Sequence, residues 1–399
     1  MKKIKKLTAS LLAAVIALSG VTLSPEDAKA AVVKVDTAGF ESVSVKNTAA
    51  IRFVNKMQLG WNLGNTFDAY DCTWLSDELE YETAWTSQKE KTSEALIKAI
   101  KKQGFNTIRI PVSWHNHVDS KLTISDAWMD RVQTVVDYAY NNGMYVILNI
   151  HHDDEQMQPT KAAYSASKKY VKTIWKQIAK RFKSYGDRLI FETMNEPRNL
   201  SMSNPWWFMP DSSSEGQEAM NYINKLNQVA VDTIRTAGGS NNKKRYIMVP
   251  GYAASPDFTL TDYFKLPTDK NASKSNRILV SIHAYRPYSM AFDGSGRSDF
   301  NDADKTELNT FMKQAYERFT SKGIGVVIGE FGIVNKDNTA ERAKCAAYYV
   351  ALARHYGMTA VWWDNNAFGT GAENFGLFDR KTNKVKYSQI VEQLAYYSK

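Results

Sequence analysis

From about residue 58 onward, short apolar runs bounded by Gly, Pro or Asn alternate with amphipathic stretches of helical period. The runs at 58–65, 107–113, 145–151, 189–195, 245–250, 277–285, 326–331 and 359–365 read as eight strands. They are nearly continuous in apolar character, as strands covered on both faces must be. Between them, the segments 92–102 and 125–140 place apolar residues at i, i+3, i+4 and i+7 and stop just before Gly104 and Gly143. Further helices are expected at 164–185, 217–237, 304–321, 339–356 and 388–397, and a short one at 258–266 is the weakest link. Regular alternation implies a parallel sheet clothed in helices, and eight repeats over about 340 residues favour a closed (β/α)8 TIM barrel over an open doubly wound sheet. No Gly-rich phosphate fingerprint follows the first strand, and no Pro/Ser/Thr-rich linker marks off a second module. The expected organisation is therefore an N-terminal extension at 31–50 and one barrel domain at 51–399.

Ahead of this stand Met1-Lys-Lys-Ile-Lys-Lys6, an apolar stretch to about Leu23, and Ala28-Lys-Ala30. A charged n-region, an h-region and a small-residue cleavage site make 1–30 a secretory signal peptide, too short in its apolar part for a spanning helix. The protein is expected to be secreted and, once cleaved, free of the membrane. That segment contains five Lys and two acidic residues, so its removal lowers the formal net charge from +9 to +6. The remaining excess is spread along the chain, which disfavours nucleic-acid binding. Cys72 and Cys345 are too few for a disulfide framework, and whether they pair stays open.

The chemistry concentrates at the predicted strand ends, the functional face of such a barrel. Asn62, Asn65, Arg109, His151, His152, Asn195, Glu196, His283, Tyr285, Glu330, Trp363, Asp364 and Asn365 all fall there. Glu196, in Leu189-Ile-Phe-Glu-Thr-Met-Asn-Glu-Pro197, and Glu330, in Gly325-Val-Val-Ile-Gly-Glu-Phe331, end apolar runs where a carboxylate is rarely needed for packing. Arg109 lies inside an apolar strand, where a guanidinium must find a carboxylate or be strongly destabilising; a functional role is the favoured reading and a purely structural ion pair the lesser alternative. Trp363 is either core or an apolar floor for a sugar ring. Loop aromatics at Trp74, Trp85, Trp114 and the Asn204-Pro-Trp-Trp-Phe208 segment, with Trp206 and Trp207, suit stacking against several sugars, although either indole could equally pack under its own loop.

Five ordered motifs, Asn106-Thr-Ile-Arg-Ile-Pro-Val-Ser-Trp114, Met194-Asn-Glu-Pro197, Ile282-His-Ala-Tyr285, Ile328-Gly-Glu-Phe331 and Val361-Trp-Trp-Asp-Asn365, resemble glycoside hydrolase family 5. Gly60-Trp-Asn-Leu-Gly-Asn-Thr66 resembles its endo-β-1,4-glucanase branch, whereas the loop after Pro197 departs from that branch. The resemblance implies that Glu196 is the general acid/base and Glu330 the nucleophile of a retaining mechanism, with carboxyl groups about 5 to 5.5 Å apart. It further implies that Asn195 binds the sugar 2-hydroxyl, that Arg109 and Tyr285 align Glu330, that His151 and His283 line the cleft and that Trp363 is the platform beside the scissile bond. Proximity and burial should raise the pKa of Glu196, while Arg109 should keep Glu330 ionised. The expected partner is a polysaccharide, a β-1,4-glucan by resemblance, with xyloglucan, mixed-linkage β-glucan and mannan as alternatives. No cofactor or metal is expected, and the chain is expected to act as a monomer.

Two other classes compete. A metal hydrolase could use His151-His-Asp-Asp-Glu155 and Trp114-His-Asn-His117. Against it, His151 and His152 point to opposite sides if the strand persists, and no H-E-x-x-H helix exists. A non-catalytic polysaccharide-binding protein is the other, although such proteins usually lose a carboxylate and both are present here.

Overall fold

The computed structural model describes residues 32–399, so the expected signal peptide lies outside the described residues. Eight parallel strands close in sequence order into one barrel: Leu59–Leu63 (β1), Thr107–Ile110 (β2), Tyr145–Asn149 (β3), Leu189–Glu192 (β4), Ile247–Pro250 (β5), Ile278–His283 (β6), Gly325–Phe331 (β7) and Thr359–Asp364 (β8). A two-stranded antiparallel ribbon, Phe378–Asp379 (β9) with Lys384–Val385 (β10), follows β8. All eight strands fall on predicted runs, with β7 starting one residue earlier than its run and β1, β2, β3, β4 and β6 stopping two or three residues short of their predicted ends. Main helices cover Glu94–Lys102, Asp126–Asn141, Tyr164–Arg181, Ser214–Thr236, Asp302–Arg318, Thr339–His355 and Ser388–Tyr397. Their starts are capped locally: Ser93 accepts from Leu96 N, Ser213 from Gly216 N, and Asn301 with Asp304 forms a capping box. Between β5 and β6 the helix shrinks to Pro256–Thr259.

The helix Ala49–Lys56, begun by the Thr48 hydroxyl accepting from Ile51 N, was not expected. It straddles the boundary drawn at residue 50, and its apolar face closes the N-terminal end of the barrel. Ala50, Phe53, Val54 and Met57 form one buried cluster with Ile147, Ile190, Met248, Leu279, Val327 and Val361, the lowest inward layer of six strands. Ahead of it, the segment from 32 is tied across the barrel's helices. Val33 N donates to Gln393 Oε1, Val35 N to the Tyr397 hydroxyl and His355 Nε2 meets the Glu41 carbonyl. The N-terminal extension is thus part of the barrel's packing. Both Cys72 and Cys345 are buried and unpaired. Among the described residues no helix is long and apolar enough to cross a membrane.

Candidate active site

Two residues above the apolar layer, the inward positions turn polar: Asn62 on β1, Arg109 on β2, Asn149 on β3, Glu192 on β4 and Ser281 on β6, all fully buried. A strand's two-residue period puts them in the same phase as Ile147, Ile190 and Leu279. Arg109 organises this layer. Its Nε donates to Glu192 Oε2 at 2.7 Å, Nη1 to Glu330 Oε1 at 2.6 Å and to Asn62 Oδ1 at 3.0 Å, and Nη2 to Asn195 Oδ1 at 2.7 Å. Glu192 also accepts from Asn149 Nδ2 and from the Ser281 hydroxyl. Burial opposes the Arg109 charge, but Glu192 and Glu330 outweigh it and raise the guanidinium above its usual range. A buried cation held by two carboxylates avoids the cost of an unpaired charge.

Glu330 reaches the barrel mouth because β7 contains one extra residue. Ile282 and His283 on β6 stand opposite Ile328 and Glu330, and Ala360 and Trp362 on β8 stand opposite Ile328 and Phe331. The bulge falls at Gly329, where a Cβ would meet His283 Nε2 and Ser281 Oγ at 3.1 Å. It resets the alternation, so Phe331 turns outward to stack on Tyr349 while Glu330 turns inward. There Glu330 Oε2 accepts from the Tyr285 hydroxyl at 2.8 Å. Glu196 lies four residues beyond the end of β4, where Trp175 Nε1 captures the Thr193 carbonyl and Asn227 the Thr193 hydroxyl. One oxygen each of Glu196 and Glu330 and a ring nitrogen of His283 lie within 4.8 Å of one another.

His283 changes the expected proton arrangement. Its Nδ1 is 2.8 Å from Glu196 Oε1 and 3.6 Å from Glu330 Oε1. Burial opposes the imidazolium, but Glu330, Glu192 and Glu196 together lift the ring to about 9. Burial would raise Glu196, yet the hydrogen bond and charge of His283 bring it below its ordinary value. Burial raises Glu330, with the Glu196 charge adding and His283 and Arg109 opposing. The expectation of a raised Glu196 and a depressed Glu330 is therefore corrected. The His283 hydrogen bond is what opposes burial at Glu196, and carboxylate spacing along the chain does not reveal that partner. Burial and Glu330 push the Tyr285 phenol well above its usual range, so it remains a donor.

These groups open into a cavity of about 850 Å³ lined by Asn65, His151, His152, Asn195, Glu196, Trp206, His283, Tyr285, Glu330 and Trp363, among others. Because Asn195 Oδ1 faces Arg109, its Nδ2 is left to donate into the cavity. Trp363 lies parallel to His151, centroids 6.0 Å apart, and against Gly64, where a Cβ would be 2.8 Å from the indole. β3 ends at Asn149, so His151 and His152 do not alternate as strand residues would, and both rings face the cavity. Burial first, then neighbouring cations, holds His151 well below its ordinary value; burial brings His152 down to about 4, despite the Glu196 charge.

Several predicted positions are placed elsewhere, Trp74 among them, exposed and outside the cavity lining. Asn62 is buried behind the cavity, its Nδ2 donating to the Gly329 carbonyl and its Oδ1 accepting from Arg109. Asn365 organises the loop after β8, donating to the Glu373 carbonyl and accepting from Phe375 N. Trp207 points to solvent outside the lining, and Trp114 is fully buried with Nε1 on the Asn149 carbonyl. Asn149, Glu192 and Ser281, and Glu373 at the cavity wall, were not anticipated, although the inward phase of Ile147-x-Asn149 and Ile190-x-Glu192 is visible once the lower layer is known. Of the residues that a metal site could have used, His115 is bonded to Asp153 and Asp71, and His117 stacks on Trp128 at 3.6 Å beside Glu78. Ligand-type atoms of Asp68, His151 and His152 do lie within 4.8 Å of one another, but Asp68 already accepts from Asn65 N and Thr66 N.

Residues 68–369 match the family described as cellulase (glycosyl hydrolase family 5). The chain is 41% identical over 352 residues to Endoglucanase 1 of Ruminococcus albus, covering 88% of this chain and 82% of that protein. Among solved structures, a GH5 family lichenase from a Caldicellulosiruptor species aligns with a TM-score of 0.88 at 49% identity, covering 93% of this chain and 100% of the other. A GH5-4 broad specificity endoglucanase from Ruminococcus champanellensis, solved with bound cellotriose, aligns with a TM-score of 0.81 at 41% identity, covering 88% and 100%. The chain therefore belongs to the cellulase family, glycosyl hydrolase family 5, and is a retaining glycoside hydrolase.

Proposed function

We propose that this enzyme is a secreted endo-acting β-glucanase that cuts internal β-1,4 bonds of plant cell-wall glucans, with Glu330 as nucleophile and Glu196 as acid/base. The observation that supports it most is the placement of Glu196 and Glu330, with His283, within 4.8 Å of one another at the mouth of the barrel. That separation leaves no room for the water that an inverting pair must hold between carboxylate and sugar. All of these groups come from one chain, so a monomer suffices. The leader-like pattern at 1–30 supports secretion.

In the first step a Glu330 oxygen attacks the anomeric carbon while the bond to the leaving sugar oxygen breaks. That oxygen takes the single proton shared between Glu196 and His283 Nδ1, 2.8 Å apart, and Glu196 is left ionised. In the second step Glu196 removes a proton from water as the water oxygen attacks the anomeric carbon, and the ester to Glu330 breaks. Asn195 Nδ2 is free to hold the 2-hydroxyl, and Trp363 lies flat for the sugar face. The lichenase and the broad specificity endoglucanase among its relatives favour soluble β-glucans, mixed-linkage chains included, over crystalline cellulose.

Glu330→Ala and Glu196→Ala should each lower kcat on β-glucan by about a thousandfold or more while binding survives. A 2-fluoro-glycoside should label Glu330, read by peptide mass; a label on any other residue overturns the nucleophile assignment. Product sizing on cellulose, mixed-linkage β-glucan, xyloglucan and mannan identifies the preferred chain, and exclusive release of terminal sugars would overturn the endo reading.

A further inference from the structure

The loop that carries Glu196 continues to Trp206, whose indole is half exposed at the cavity edge. The backbone there is pinned, with Trp206 N donating to Asn204 Oδ1 at 3.0 Å and the Tyr252 hydroxyl to the Pro205 carbonyl at 2.8 Å. A half-exposed ring on a pinned backbone still has its own torsions to lose when a sugar stacks on it. The Arg198 guanidinium lies over this ring, 3.9 Å from its centroid.

Arg198 is itself fixed at both ends of its fork. Nη1 donates to the backbone carbonyl of Glu196 at 3.0 Å, and Nη2 pairs with Asp154 Oδ2 at 3.1 Å. Asp154 opens the short helix Asp154–Met157 after β3, so the contact joins two loops of the barrel mouth. A planar guanidinium can donate in its plane to two acceptors and present its face to an indole; a lysine ammonium has no such face. Trp206 stands on the proton donor's own loop, whereas Trp363 stands on β8 against β1.

We propose that Arg198 is a positioning residue that pre-sets the Trp206 platform for the sugar on the leaving-group side and ties that platform to the backbone of the proton donor. This rests on the reading of Glu196 as acid/base. A sugar bound on Trp206 then meets a ring already held in register with the carboxyl that must protonate its oxygen, so binding there costs less ordering.

The test compares cellohexaose, which places sugars on both sides of the cut, with 4-nitrophenyl β-cellotrioside read by nitrophenol release, which has no sugar on the leaving side. In Arg198→Ala the loss in kcat/KM on cellohexaose should exceed the loss on the nitrophenyl glycoside by about fivefold, mainly through KM. Trp206→Ala should show the same selective loss, the double variant should lose no more than Trp206→Ala alone, and Arg198→Lys should recover only part. Equal losses on the two substrates, or losses that multiply in the double variant, overturn the proposal. If Arg198→Ala does not fold, Arg198→Lys with and without Trp206→Ala gives the same comparison. Glu330→Ala serves as the control: nitrophenol release that survives it overturns the proposed function, whereas the Arg198–Trp206 coupling is read separately from the ratio of the two substrates.

Discussion

Glu192 is held by Arg109, Asn149 and Ser281 with no exposure to solvent. Burial alone would raise its pKa, but Arg109, then His283 and Ser281, outweigh burial and bring it to about 2 from an ordinary value of 4.5. A carboxyl depressed in the folded state stabilises above its unfolded pKa and loses that contribution as pH falls through its folded one. The protein should therefore lose stability between pH 4.5 and about 2. Denaturant midpoints taken stepwise through this window should fall more steeply for the natural chain than for Glu192→Gln, which should be less stable at neutral pH because Arg109 loses a partner. Identical slopes would exclude this role for Glu192. Gly64 is a steric rather than electrostatic case, since a Cβ there would be 2.8 Å from the Trp363 indole, which has His151 on its path. Gly64→Ala should tilt the platform and raise KM for cello-oligosaccharides about tenfold with a smaller change in kcat, and an unchanged KM would count against Trp363 as the platform.

Among the elements, the helix Ala49–Lys56 closes the end of the barrel opposite the cavity, and Phe53 is its anchor, stacked on Tyr246 at 3.7 Å and edge-on to Tyr145 at 5.3 Å. Phe53→Ala should cost about 3 to 5 kcal/mol of stability by leaving a cavity beneath the lowest barrel layer. Measured well below its unfolding temperature, the variant should keep its kcat, because no cavity-lining group moves; a kcat that falls in step with stability would contradict this separation. Seven main helices and eight strands were legible from period and terminators, because each buries an apolar face that repeats at 3.6 or 2 residues. This helix was missed because its burial partners, Ile147, Met248 and Val361, are far away in the chain. Strand ends were overestimated for a related reason: residues such as Thr193 to Asn195 and His151 are buried like strand residues, yet their side chains and backbone groups turn to capture partners across the mouth.

Across the whole molecule, stability comes from the closed barrel, its plug and the N-terminal segment laid over its helices. With both thiols buried and unpaired, a thiol reductant should leave the Tm unchanged in thermal scans; a Tm that drops under reductant would mean that Cys72 and Cys345 cross-link. The sequence by itself determined the eightfold alternation, the mouth at which polar groups gather, and the pair Glu196 and Glu330 with Arg109, Asn195, His283, Tyr285 and Trp363 around it. Local periodicity is enough for the alternation and the strand ends, because it depends on which face each residue must bury, and the grouping around the two glutamates came from the resemblance of the motifs to glycoside hydrolase family 5. Only the tertiary structure decided that Asn62 and Asn365 hold the scaffold, that Glu192 is the second anchor of Arg109, and that His283 is bonded to Glu196. Those outcomes depend on distances between different strands and on a one-residue bulge at Gly329, which hydrogen bonding across the closed barrel sets and neighbours in the chain do not.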